Sequence, residues 1–207
     1  MNITKATNQY ISERPSIKDC IKKGLVNYSA LSRQVSKETG IKNFEAIVIA
    51  CRRYAYSMKK EQASENQIKS ILKASKISVK NKRLAAVIER GAYIHSISEL
   101  EKEVKKSKET LHIIEGENAT TLITSEDFVD LIKKQFKNEI IKINMNLCEI
   151  GVKSPREIEN VPGVVAYLYS LFGERGINVV ESMSCWTDTL FLIRENDIQV
   201  AISVLKF

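Results

Sequence analysis

Between residues 16 and 57 apolar positions recur every three or four residues, the spacing of helices that bury one face. Ile17, Cys20, Ile21 and Leu25 form one stripe, with Lys18, Lys22 and Lys23 on the wet side and Gly24 as a stop. A second helix opens at Asn27 or Ser29, turns Leu31 and Val35 inward and ends at Gly40. A third follows the cap Asn43. Residues 44–51 are apolar nearly all round, which predicts a buried helix, and its end turns basic and aromatic through Arg52, Arg53, Tyr54 and Tyr56. The pattern predicts a small three-helix bundle. The polar stretch 57–66 reads as a linker, followed by a short helix with Ile68, Ile71 and Leu72 inward.

From residue 76 the pattern changes to strands alternating with helices, and it runs twice. In the first pass residues 76–90 are strand-like and Ser98 caps a helix with Leu100 and Val104 inward. Residues 110–115 and 119–124 then form a hairpin, and Ser125 caps a helix with Phe128, Ile132 and Phe136 on one stripe. In the second pass 140–152 alternates, with Ile141, Ile143, Met145 and Leu147 against Lys142, Asn144 and Asn146. A helix over 162–175 turns Val165, Leu168 and Phe172 inward, strands follow over 177–186 and 189–194, and Asn196 caps a last helix. The order is β-α-β-β-α both times. The predicted class is α+β: a helical bundle (1–75) followed by two ferredoxin-like βαββα units (76–138 and 139–207). Helices cover one sheet face, so the other needs water or a second unit against it, which predicts a homo-oligomer, at least a dimer.

Charge adds a polarity to this layout. The 207 residues carry a net charge of +7, but residues 1–74 hold 14 Lys and Arg against 6 Asp and Glu, whereas residues 139–207 hold 6 against 9. Any polyanion contact therefore belongs to the first third, because phosphate binding follows local charge. A Lys-rich solvated surface gives the same count. No apolar run is long enough for a membrane span, and the start of the chain lacks the apolar core of a secretion signal, so a cytoplasmic protein is expected. Cys20, Cys51, Cys148 and Cys185 are far apart and the histidines are His95, read as a loop residue, and His112. That spacing suits no metal site, and the thiols read as reduced and buried.

Residues 141–205 resemble an ACT domain, the small ligand-sensing module of aspartokinases and of many amino-acid-regulated proteins. The resemblance is carried by Asn160-Val161-Pro162-Gly163-Val164-Val165-Ala166 at a strand-to-helix turn, Gly176-Ile177-Asn178-Val179 after the helix, and Thr187-Asp188-Thr189-Leu190-Phe191-Leu192 in a later strand. Residues 76–137 resemble a degenerate copy without the Pro-Gly pair. The likeness implies that Pro162, Gly163, Val164 and Val165 hold an amino acid through backbone groups, with Ile177, Asn178 and Val179 of a neighbouring unit as the opposite wall. Independent chemistry supports an anion at such a turn. A helix N-terminus offers unpaired N–H groups and the positive dipole end, Gly permits close approach, and Pro fits the first turn. The same Pro and Gly also suffice simply to start a helix.

In the bundle, a helix, a tight turn over 40–43 and a second helix look like a helix-turn-helix DNA reader, with Arg33, Lys37, Lys42, Arg52 and Arg53 as candidate phosphate or base contacts. A protein-docking or purely structural bundle fits equally. No Gly-rich phosphate loop, metal cluster or nucleophile elbow is present, so no enzyme, metal or cofactor is expected. The reading is a non-enzymatic regulatory protein that senses an amino acid and controls transcription through its basic domain. The alternative is an accessory regulatory subunit of a separate amino-acid metabolic enzyme.

Overall fold

Asparagines set the helix starts of the first third. Asn2 Oδ1 accepts the Lys5 N–H at 3.2 Å and opens α1 (Ile3–Ser12), while α2 (Pro15–Lys22) starts on a proline. Asn27 Oδ1 accepts from Ser29 and Ala30 to open α3 (Tyr28–Thr39), and Asn43 Oδ1 accepts from Ala46 to open α4 (Phe44–Met58). Gly40 ends α3 in the left-handed conformation, φ 72°. Helix α1 stands ahead of the three expected helices and buries Thr7, Tyr10 and Ile11.

This is a computed structural model, and it describes residues 2–58, 62–91 and 94–207, which divide into two units, Met1–Gln67 and Ile68–Phe207. In the first, Tyr10, Ile11, Ile21, Leu31, Val35, Ile47 and Cys51 form the core. Helix α4 is not buried all round: Ile49 is 52% and Tyr56 77% exposed, so the helix is amphipathic. The expected linker is also largely helical. Helix α4 runs to Met58 and α5 (Gln62–Ala74) begins at Gln62, because Met58, Gln62, Ala63 and Glu65 are good helix formers; residues 59–61 lie outside the described residues.

The second unit contains β1 (Lys76–Glu89), α6 (Ile94–Lys106), β2 (His112–Glu115), β3 (Ala119–Ser125) and α7 (Val129–Gln135). The same order then recurs as β4 (Ile140–Lys153), α8 (Val164–Gly173), β5 (Val179–Cys185), β6 (Asp188–Arg194) and α9 (Ile198–Val204). Their strands make one antiparallel six-stranded sheet, β2-β3-β1-β4-β6-β5. Each half lacks a fourth strand, and the first strand of the other half takes that place. The halves match residue for residue: Arg83 pairs with Ser125 as Leu147 pairs with Arg194. Across the junction Arg83 pairs with Leu147, and Lys80–Glu149 on one side is mirrored by Asn144–Ala85 on the other. A pseudo-twofold axis therefore passes through the Arg83–Leu147 pair.

Beside that axis each long strand bulges at a non-glycine residue with left-handed backbone, Lys82 (φ 52°) and Asn146 (φ 55°). The Lys82 N–H donates to Glu195 of the second half at 3.1 Å, and the Asn146 N–H donates to Glu126 of the first. The bulge also breaks the expected alternation of β4. Ile143 packs toward the helices of the first half, whereas Leu147 points to the opposite face, and Ile141 and Met145 are exposed.

Helices α6 and α7 cover the first half with Leu100, Val104, Ile132 and Phe136 against Leu84, Ala86 and Ile88. Helices α8 and α9 and the end of α5 cover the second with Leu168, Phe172, Ala201, Leu205, Ile68 and Leu72 against Ile150, Phe191 and Ile193. Val164, not Val165, is the inward residue of the first turn of α8. Ser98 lies inside α6, which begins at Ile94 and includes His95, and α9 opens after a 3-10 turn at Glu195–Asp197 without a side-chain cap from Asn196. Of the cysteines, Cys51 and Cys148 are buried as expected, but Cys20 and Cys185 are exposed.

The helix-free face is buried too. Ala85, Ile123, Leu147 and Leu192 are at most 3% exposed there. Thr121 of β3 reaches Glu181 of β5 at 3.5 Å although three strands stand between them, so the sheet curls into a trough. A flat sheet would hold them about 19 Å apart at the usual strand spacing. The curl buries Ala85, Ile123, Leu147 and Leu192 within the chain itself. Gly151 marks the tightest crossing: a Cβ there would lie 2.6 Å from Ser78 Oγ and 3.3 Å from Leu190. Gly151→Val should therefore cost about 1–3 kcal/mol in urea unfolding of the full chain, and a variant as stable as the parent would contradict this packing.

Candidate functional site

Pairing of β4 with β6 begins at Leu147, so residues 140–146 are bonded to β1 on one side and open on the other. Along that open edge lies a cavity of about 770 Å³. Lys142 and Arg194 bring positive charge to its wall, Glu181 and Glu195 negative charge, and Asn144 and Asn178 neutral amides that donate and accept. Val87, Leu147 and Val180 add apolar surface. One oxygen of Glu195 is already engaged by the Lys82 N–H. The wall thus carries both signs of charge within one small space, the pattern that suits a small zwitterion.

Deeper in the trough, Arg83 is 1% and Glu149 4% exposed. Arg83 lies 3.1 Å from Glu149 Oε2 and 3.1 Å from Glu109, and His112 Nε2 stands 3.5 Å from the same Glu149 oxygen. Lys80 Nζ approaches Glu149 at 3.4 Å. Burial by itself would raise the Glu149 carboxyl, but the adjacent His112 imidazole and the Arg83 and Lys80 charges outweigh it and hold the group at about 2. Deleting either partner of a buried pair leaves an uncompensated charge, typically at a cost of about 3–5 kcal/mol.

Of the residues named from the sequence, Asn178 is the one that lines the cavity. Ile177 is buried in the helix-side core and Val179 packs against it. Pro162 and Gly163 lead exposed into α8 with Gly163 at φ 94°, Val164 is buried, Val165 is exposed, and Ile68 of α5 comes within 3.3 Å of where a Gly163 Cβ would stand. The turn and Asn178 lie at opposite ends of the sheet. Val179 pairs next to the Leu147 end of the β4–β6 ladder, and the Pro162 turn follows Lys153 at the other, about 20 Å away. One chain does not bring them together.

In the first unit Arg33 and Lys37 are exposed one turn apart on α3, Lys42 is exposed in the turn, and Arg52 and Arg53 are exposed on α4. Ile49, Arg52, Arg53 and Tyr56 share a shallow hollow on α4. Among the described residues no group of three metal-ligating side chains occurs, and no helix is long and apolar enough to cross a membrane.

Lys142, Asn144 and Arg194 were not expected, nor was the Arg83–Glu149 pair. Its signal was a charge inside an apolar strand run: Arg83 opens 84–88 and Glu149 interrupts 147–152. His112, at the start of β2, stands over Glu149.

No protein-family model and no curated protein matches the chain. Among solved structures it is similar to the aspartate kinase of Clostridium acetobutylicum, described as an allosteric enzyme, with 13% identity over 62% of this chain and 33% of that one, TM-score 0.49. It is also similar to aspartokinase alpha and beta subunits (14% identity, 62% and 93% of the two chains, TM-score 0.49). A third is the ligand-free regulatory subunit of aspartate kinase from Thermus thermophilus (9%, 62% and 92%, TM-score 0.49). The chain spans about a third of the length of the Clostridium enzyme.

The Glu149 carboxyl gives a pH signature. Its folded value lies below the ordinary 4.5, so its stabilisation is complete above that value and is lost as pH falls toward about 2. Melting temperature should decline over that window, and Glu149→Gln should flatten the decline. An unchanged slope in the variant would show that Glu149 is not the titrating group.

Proposed function

We propose that the chain is a non-enzymatic regulatory protein whose sheet unit binds a small zwitterion, most simply a free amino acid, in the cavity beside Asn178. The cavity wall carries this reading: Lys142 and Arg194 suit a carboxylate, while Glu181 and the Asn178 amide suit an ammonium group. Occupancy has a route to the rest of the sheet through Glu195, which lines the cavity and also holds the β1 bulge. A ligand that prefers one setting of that joint would shift its population. The Pro162–Val165 turn remains a second place for the same ligand class, completed by Asn178 of another copy in an oligomer, as the ACT resemblance implies.

Thermal shift of the full chain against the twenty amino acids should give at least one saturable rise, about 2–4 °C at tenfold excess over Kd. Lys142→Glu with Arg194→Glu should abolish it and Gly163→Trp should leave it. The opposite result moves the site to the Pro162 turn, and no response to any amino acid removes the sensing role.

For the output, α4 supports the accessory-subunit reading at least as well as transcription control. Its exposed Phe44 and Ile49 beside Arg52 and Arg53 suit a mixed protein surface, whereas a phosphate-tracking face needs mainly cations. Duplex DNA binding that falls steeply with salt and is lost in Arg52→Glu with Arg53→Glu would favour the DNA reader over a docking piece.

A further inference from the structure

The duplication that builds the cavity beside Asn178 also builds its counterpart in the first half, and there the space is filled. Matching ladder by ladder, Arg83 stands where the second half has Leu147, Lys80 where it has Asn144, and His112 where it has Glu181. The helix ends extend the match. Glu109 N–H closes on Val104 O as Ile177 N–H closes on Phe172 O, each after a left-handed residue, Lys108 (φ 58°) and Gly176 (φ 70°). Thr110 is thus the counterpart of Asn178.

In the first half these positions converge on one another. One amino group of Arg83 donates to Thr110 O at 3.2 Å and to Thr110 Oγ1 at 2.9 Å, and the other donates to Glu109 at 3.1 Å. Lys80 Nζ donates to Thr110 Oγ1 at 3.0 Å. In the second half Leu147 has no polar group to send toward Asn178, and Asn144 replaces the ammonium. Cations stand instead at Lys142 and Arg194, where the first half has Ser78 and Ser125.

We propose that the first half holds a closed copy of the cavity whose built-in occupants are the Arg83 guanidinium and the Lys80 ammonium, and that without the Arg83 side chain this copy becomes a site for a small free guanidinium cation. Glu149, Thr110 and Glu109, which surround the Arg83 guanidinium, form the hydrogen-bonding and charged cage such a cation needs, with Glu149 4% exposed at its inner end and Glu109 at its rim. One consequence rests on the functional reading above: the intact chain takes one zwitterion, not two, with its cationic end beside Asn178 and Glu181 and its anionic end toward Lys142 and Arg194.

The test is full-length Arg83→Ala titrated with ethylguanidinium chloride, which restores the atoms removed, against matched sodium chloride, by calorimetry and melting temperature. A saturable rise of about 3–6 °C at one cation per chain is expected in the variant and none in the parent or in Arg83→Lys. Adding Glu149→Ala should weaken the cation at least tenfold. Adding Asn178→Leu should leave it unchanged, because Asn178 belongs to the other copy, so failure of amino-acid sensing does not touch this result. If Arg83→Ala does not fold alone, ethylguanidinium in the refolding buffer should restore it. No saturable response, no restoration, or a cation indifferent to Glu149→Ala would overturn the assignment.

Discussion

The second unit depends on one antiparallel pairing, β1 against β4, centred on Arg83 and Leu147. Neither βαββα half has a complete sheet of its own, because each ends one strand short, and each first strand serves as the missing edge of the other. The two bulges fix this joint. Backbone held in left-handed conformation at Lys82 and Asn146 is costly for residues with a Cβ, and it persists because a carboxylate from the opposite half accepts each N–H.

Curling follows from the same bulges, which increase local twist and redirect the side chains beyond them. The trough that results has an apolar floor of Ala85, Ile123, Leu147 and Leu192, and into it the chain places Arg83 and Glu149. A buried ion pair contributes little net stability relative to apolar residues of the same volume, so its effect here is on arrangement. The pair joins β1 to β4 and, through His112 and Glu109, ties the first hairpin to both. On the other side of the axis Leu147 makes no such ties, and the space it leaves becomes the cavity.

Much of this architecture was readable from periodicity. The doubled β-α-β-β-α order, the Ser125 cap, the Asn27 and Asn43 helix starts and the stripe Phe128, Ile132, Phe136 all stand in the structure as local rules dictate. Pattern reading failed where one residue shifts the phase. The bulge at Asn146 moves Leu147 to the other face, and a strict alternation over 140–152 cannot register that. It failed again at α4, where a run of Ile and Val concealed an exposed edge at Ile49. Of the cavity's lining residues, Asn178 is the one that a local motif singles out in the sequence. Lys142, Asn144 and Arg194 were not, since they meet only after β4 outruns β6.

The crossed carboxylates couple the two repeats. Glu126 and Glu195 are each anchored in one repeat and bonded to the backbone of the other, so a shift of either repeat disturbs the bulge of its twin. Such mutual custody leaves little freedom in the framework near the axis. The two halves differ instead in the side chains that line the trough, Arg83 against Leu147 and Lys80 against Asn144, so one shared framework presents two different chemistries on either side of its axis.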